Sequence, residues 1–320
     1  MTRFAQPGVG MPAKLAALAA LCALADAHPH AHAPPATTLK PPALARLGTG
    51  ATKPAGWLLD ELQLQAKGLS GQLPYFWHYL NYSTWTGSER DPYGREGGSA
   101  DQFMSYYLNG LVPLSYQVDD ANLVALRTRY LTHILSQQNT TGSPPAGWLG
   151  VGVGNPLEYW PKYLSIEAIE SWAEAELTMR PKIVAALVAH HQQFWNQAST
   201  NAPAFNKSKW GFARYSDAIV GIQWLLDHGE GTGSSAFLWD LMRLIRTQAD
   251  AQMESVAEAD GGGYSWEAWF RSGDPFTKAN DGAGGKSVHL RRHGVDIGQA
   301  MKSVGSPVLG SLAELPWHCS

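Results

Sequence analysis

Cysteine is nearly missing from this sequence: among 320 residues there are 2, Cys22 and Cys319. Two thiols exclude a disulfide scaffold and any four-thiolate zinc site. Charge is scarce as well, at 16% Asp, Glu, Lys and Arg, against about 25% in ordinary soluble proteins. The balance of 24 basic and 27 acidic residues leaves a formal net charge of −3. No basic run stands out, which excludes a nucleic-acid surface, because clustered Lys and Arg are needed to displace phosphate counterions. The apolar run LAALAALCALA at 15–25 has 11 residues, short of the roughly 20 that span a bilayer, so no membrane span is expected. Strand-like alternation is almost absent after Gly56. The Gly-rich stretches at 150–154 and 260–264 lack phosphate-loop spacing, and no G-x-S-x-G nucleophile elbow occurs. What the chain does have is aromatic residues, 13 Trp, 12 Tyr and 9 Phe. That content is too apolar for disorder.

The N-terminus reads as a leader. Lys14 precedes the apolar run, and Ala25-Asp26-Ala27 follows it as a small-x-small cleavage site, so residues 1–27 are expected to be a secretory signal. Met11 would give a tighter start than Met1, and an Ala-rich organelle transit peptide is the alternative. Asn-x-Ser/Thr triplets at Asn81, Asn139 and Asn206 fit secretion. Residues 28–45 are Pro/Ala-rich, with His28, His30 and His32 at alternate positions. A linker is the expectation there, ahead of weak copper or nickel binding. His190 and His191 are adjacent, and a surface position is expected for them.

From Gly56 the apolar period is helical. Leu58, Leu59, Leu62 and Leu69 form one stripe, with a stop signal beginning at Gly68. Hairpins of helices then recur. The first pairs 106–118 with 121–138 across Asp119-Asp120, and the second pairs 163–175 with 181–195, which opens on Pro181. A third pairs 216–229 with 235–249, and a fourth begins at 293–304. Links inside a pair are short and links between pairs are long. The first helix of each pair is the more apolar, as an inner helix would be. The expected fold is therefore all-α, a partial (α/α)6 toroid of about three and a half hairpins spanning 46–309, with an atypical tail at 310–320. A solenoid of helical hairpins shares the same repeat logic.

In a toroid the long loops and the inner-helix N-termini share one rim. Trp77, Trp85, Trp148, Trp160, Trp210, Trp266 and Trp269 fall in or beside those loops. Aromatic faces suit sugar rings, whose hydroxyls bond to Asp, Asn, His or Arg. Trp85, Trp160, Asn109, Asp217 and His293 are accordingly the candidate substrate-binding residues. Asp217 reads equally as a first-turn acid favoured by the helix dipole. Asn109 reads equally as a backbone-bonding residue, and His293 as a helix-start histidine. Glu158, Asp217 and Asp296 are the acids available for glycosidase chemistry, which needs two carboxyl groups or an acid and another nucleophile.

Five segments, GWLLDELQLQAKGLSGQL (56–73), YYLNGLVPLSYQV (106–118), WPKYLSIEAIESW (160–172), IQWLLDHG (222–229) and RHGVDIGQAMKS (292–303), resemble the β-L-arabinofuranosidase-like glycoside hydrolases of family 127 and the neighbouring family 146. The resemblance covers roughly 45–309. It implies an (α/α)6 barrel, an arabinose-containing glycan as partner, and retaining hydrolysis by a zinc-bound cysteine with further Cys and Glu ligands. Of the family's site residues only His293 carries over, as a sugar-contacting histidine. The Glu-x-Cys element and the paired cysteines have no counterpart here, so no cofactor or metal site is expected in this chain. The expectation is a truncated, inactive relative. A non-catalytic carbohydrate-binding or interaction module with Trp-lined loops is the alternative.

Overall fold

The computed structural model describes residues 46–83, 85, 101–138, 146–149, 159–200, 211, 214–229, 235–258, 295, 298–299 and 301–302. Every element among them is a helix, and no strand occurs among the described residues. A short entrance is built from α1 (Trp57–Lys67), α2 (Leu69–Phe76) and α3 (His78–Asn81). Three hairpins follow: α4 (Asp101–Val118) with α5 (Ala121–Ser136), α6 (Trp160–Ala175) with α7 (Arg180–Thr200), and α8 (Tyr215–His228) with α9 (Ser235–Glu258). The described residues are all-α, as the periodicity predicts. No helix among the described residues is long and apolar enough to cross a membrane.

Local chemistry sets the hairpin ends. Asp120 precedes α5 in extended conformation, and its Oδ1 accepts from the N–H groups of Asn122 and Leu123 at 3.0 and 3.1 Å. This satisfies two of the donors that a helix start leaves unpaired. Its neighbour Asp119 sits at φ 51°, in the left-handed region, where the chain reverses between α4 and α5. Lys53 holds that turn through Asp119 Oδ2 at 2.9 Å and through the Tyr116 carbonyl. At the α6–α7 turn, Glu176 receives the Tyr116 hydroxyl and the Arg127 guanidinium, the latter at 3.2 Å. Arg127 also lies 3.9 Å over the Tyr116 ring, so the short turns of the first two hairpins are tied together.

The first helices of the three hairpins, α4, α6 and α8, pack side by side in chain order, and each is backed by its own second helix. Contacts between α4 and α6 climb both chains together: Ser105 to Ser165 at 2.9 Å, Asn109 to Glu167 at 3.1 Å, then Tyr116 to Glu176. The two helices are therefore parallel. Helix α6 lies between α4 and α8 with α7 behind it, and it is buried around nearly its whole circumference. The apolar core runs through these elements, from Leu108, Leu111 and Val112 of α4 through Ile166 and Ile169 of α6 to Ile219 and Ile222 of α8. The N-terminal Leu stripe does not join it in full. Leu58 and Leu69 are exposed, and in α1 the buried residue is Ala66.

The two adjacent histidines correct the surface expectation: His190 and His191 are both buried. Ile183, Val184, Leu187 and Phe194 mark the inward stripe of α7, and positions 190 and 191 straddle its middle, so both turn inward. His190 Nδ1 accepts from the Leu149 N–H at 3.1 Å, and its ring packs 4.6 Å from Trp148. Gly147, at φ 89° and pressed against the Ala189 carbonyl, lets this Trp148 segment approach α7 where no side chain would fit. His191 Nδ1 meets the Leu187 carbonyl at 2.8 Å. Burial holds His191 down to about 4, against a raising backbone bond. Burial, helped by His191 and Lys162, drives His190 well below the usual range.

Two outcomes are expected. Asp120→Ala removes both cap bonds and costs about 1 kcal/mol, read as a lower denaturant midpoint at unchanged slope. The neutral histidines contribute stability that is full above the ordinary imidazole value of 6.5 and is lost as pH falls toward about 4. Melting temperature should drop across that window, and the drop should shrink in His191→Leu.

Candidate functional site

Three carboxyl groups, Glu167, Glu170 and Glu174, stand at spacings of three and four along α6 and so share one face of that buried helix. The outer two are fully engaged. Glu174 Oε2 accepts from the Thr49 N–H at 3.0 Å and the Thr49 hydroxyl at 2.9 Å, while Arg46 pairs with the same carboxylate at 3.1 Å. Its Oε1 accepts from Trp224 Nε1 at 3.0 Å. Glu167 takes Asn109 Nδ2 on Oε2 and Lys302 Nζ on Oε1, at 3.1 and 3.0 Å. Glu170, between them, is only 4% exposed, and its Oε1 has no hydrogen-bond partner. An unpaired carboxylate in such a place is too costly to keep its charge. Burial, with the fields of Glu167 and Glu174, pushes its acid well above the ordinary carboxyl range.

Gly221 of α8 makes room for that carboxyl. A Cβ at this position would stand 3.1 Å from Glu170 Oε1 and 3.2 Å from Ile166 Cγ2, tighter than most side-chain contacts, so those neighbours would have to give by a few tenths of an ångström. The absence of a side chain lets α8 close onto α6 over the acid.

Toward the N-terminal ends of the same helices runs a continuous polar chain. Lys302 Nζ lies 3.0 Å from Glu167 Oε1 and 2.8 Å from Asp217 Oδ1, so those two carboxyl oxygens are no more than 5.8 Å apart. Gln299 Nε2 donates to Asp217 Oδ2 at 2.7 Å. Burial lifts the Asp217 acid to about 6; Lys302 and Arg214 oppose the rise and Glu167 adds to it. Burial works against the Lys302 charge, yet Asp217 and Glu167 prevail and raise its pKa.

Beside this stripe lies a cleft of about 490 Å³. Glu170 and Glu174 of α6 line it opposite Val220, Gln223, Trp224, Asp227 and His228 of α8, with Arg46, Arg180 and Lys302 contributing the cations. Gln223 Nε2 donates to Asp227 Oδ1 at 2.9 Å, which fixes the amide so that its Oε1 is an acceptor, and that oxygen has no partner. Trp224 stacks on His228, with centroids 4.5 Å apart at 20°. The segment before α1 adds Arg46 and Gly48 to the lining, and Arg46 is tied to Glu174.

Of the candidate residues, the structure joins Asn109 and Asp217, through Glu167 and Lys302. Trp85 and Trp160 are elsewhere and face inward, at 1% and 2% exposure. The Lys162 ammonium lies 5.6 Å from the Trp85 ring centroid, and the Arg214 guanidinium 4.2 Å from that of Trp160. These rings are therefore core cation–π partners rather than open platforms. Trp148 is likewise buried, packed edge-on to Tyr159 at 5.6 Å. His293, Glu158, Asp296, Cys22, Cys319, Trp210, Trp266 and Trp269 lie outside the described residues. The sequence reading passed over Glu167, Glu170 and Glu174. Three acids on one face of a helix whose other faces are apolar were the signal available.

The zinc–thiolate centre implied by the family resemblance needs several cysteines beside a glutamate. The sequence has 2 cysteines, and no group of three or more His, Cys, Asp or Glu among the described residues is placed to hold a metal ion. The donors do not fit that centre. Compared with models of known families, with curated proteins and with solved structures, the chain matches none of them.

Glu170 binds its proton more tightly folded than unfolded, so the stability it contributes is full below the ordinary carboxyl value of 4.5 and is lost as pH rises through its elevated folded value. Glu170→Gln cannot ionise. The melting temperature of this variant minus that of the parent should therefore increase steadily from acid pH to about pH 8. A difference that stays flat with pH would contradict a buried, unpaired acid.

Proposed function

We propose that this chain is a secreted glycoside-hydrolase-like protein, related to the retaining β-L-arabinofuranosidases, that holds carbohydrate in the cleft between α6 and α8. Its helical hairpins are read as part of an (α/α)6 toroid, with α4, α6 and α8 as inner helices. The side-by-side, parallel order of those three helices supports the toroid. The observation that carries the functional reading is the polar chain on the inner helices, Asn109–Glu167–Lys302–Asp217, opening through Lys302 into a cleft of about 490 Å³. Sugar sites combine an apolar wall with a few fixed polar groups, and this cleft has Ile219 and Trp224 beside Gln223, Asp227 and Lys302.

Glycosidases hold one carboxyl protonated beside a second that is ionised. Asp217, lifted to about 6 and within 5.8 Å of Glu167, has the environment of the first of these. No step is assigned to a zinc-bound thiolate, because the donors for it do not assemble among the described residues. The chain's own part is to bind and orient: Lys302 donates toward the sugar while Asp217 and Glu167 fix its position.

Titration calorimetry with arabino-oligosaccharides tests the reading, alongside hydrolysis of a chromogenic β-L-arabinofuranoside. Binding is expected, weakened about tenfold by Lys302→Ala, the loss of roughly 1.4 kcal/mol. Turnover would class the chain with the hydrolases, and binding without turnover with the carbohydrate-binding modules. A protein that binds no carbohydrate across a glycan array contradicts the proposal.

A further inference from the structure

Trp85, Trp148 and Trp160 are buried, but an accessible aromatic ring stands beside the last of them. Tyr106, in the second turn of α4, is 41% exposed. Its hydroxyl accepts from Arg214 Nη1 at 3.0 Å, and Arg214, itself buried, lies 4.2 Å over the Trp160 ring. Trp160 in turn packs 6.1 Å from the Tyr106 ring. Exposed side chains ordinarily hop between rotamers. This one is tied at its tip to a buried guanidinium, so the ring is held in place before a ligand arrives.

Tyr106, Asn109 and Gly110 stand at spacings of three and four and so share one face of α4. Asn109 belongs to the polar chain, through Glu167 to Lys302. Gly110 is exposed, and apart from its own stretch of α4 nothing among the described residues lies within 4 Å of where its Cβ would be. This face therefore puts open space beside a held aromatic ring and a polar group of the site.

We infer that this face of α4 is a second sugar subsite with Tyr106 as its aromatic platform, so that the site takes an oligosaccharide rather than a monosaccharide. The inference rests on the carbohydrate reading and sharpens it. A sugar presents C–H groups on one face, which pack on the ring, and hydroxyls at its edge, which reach Asn109. The subsite and the cleft are too far apart for one sugar. Helices α4 and α6 are parallel, and the Asn109–Glu167 bond puts those two residues at one level. Tyr106 lies three residues before that level on α4, and Glu170, where the α6 wall of the cleft begins, lies three residues after it on α6. Six residues of helical rise are about 9 Å, to which the spacing between the two helices adds. Lys302 lies between, bonded to Glu167 and lining the cleft, so a glycan laid from the cleft to Tyr106 passes its ammonium.

Calorimetry with L-arabinose and with an arabinotetraose reads the dependence on chain length. The tetrasaccharide should bind at least about tenfold tighter than the monosaccharide. Tyr106→Ala should remove most of that gain and leave the monosaccharide affinity unchanged, a split that a general loosening of the fold does not produce. Tyr106→Phe keeps the ring and should keep most of the gain. Should Tyr106→Ala fail to fold, Gly110→Leu decides. Leu is the better helix former and meets open space here, so this variant should lower the tetrasaccharide affinity about tenfold with no fall in melting temperature. Equal affinities for the two sugars, an equal loss for both in Tyr106→Ala, or full tetrasaccharide affinity in either variant overturns the inference and leaves carbohydrate binding standing. A protein that binds no carbohydrate across the glycan array overturns both.

Discussion

Everything about the described fold and its site depends on enclosing an acidic stripe inside a helical layer. Helix α6 lies between α4 and α8 and against α7, so its Glu170 is buried and Glu167 and Glu174 are largely covered. Buried carboxylates must find partners or lose their charge. The surrounding elements supply those partners from far along the chain. Arg46 and Thr49 come to Glu174 from before α1, and Lys302 comes to Glu167 from beyond α9. The stripe thus acts as a set of anchoring points that gathers the two ends of the described chain onto its central helix.

Two of the three carboxyl groups are paired and one is not. Glu174 and Glu167 hold hydrogen bonds and ion pairs on both oxygens. Glu170 has no partner on Oε1, burial disfavours its charge, and it packs beneath Gly221 across the helix interface. Arg46 and Lys302 keep part of their side chains in solvent, so these pairs contribute less than fully buried ones, whereas removing an unpaired buried acid relieves a penalty.

The hairpins could be read directly from the sequence because their signals are local. The Asp119-Asp120 turn, Pro181 in a first helical turn and the spacing of Leu123, Leu126, Tyr130 and Ile134 each report on a few neighbouring residues. The structure starts α5 and α7 within a residue of where those signals put them, and carries α7 on to Thr200 and α9 to Glu258, beyond the expected ends at 195 and 249. The inner or outer position of a polar residue is not a local property. Glu167, Glu170 and Glu174 look like an ordinary solvated helix face until α8 packs over them. His190 and His191 look exposed until both are seen to fit the stripe of Leu187 and Phe194. Trp85 and Trp160 look like platforms until Lys162 and Arg214 are found over their rings. Asp217 and Asn109 stood out in the sequence because they lie on the first helices of hairpins, but the lysine that links them through Glu167 comes from 85 residues beyond Asp217, a distance no spacing rule covers.

The central claim is that this stripe holds one neutral, unpaired acid beside carboxylates that are fully paired. Carboxyl-resolved ¹³C NMR titration of the intact protein, with Glu170→Gln to assign the resonance, tests it most directly. The account predicts one glutamate titrating well above the ordinary value of 4.5 and an aspartate, Asp217, near 6. A protein in which every glutamate and aspartate titrates in the ordinary range would contradict it.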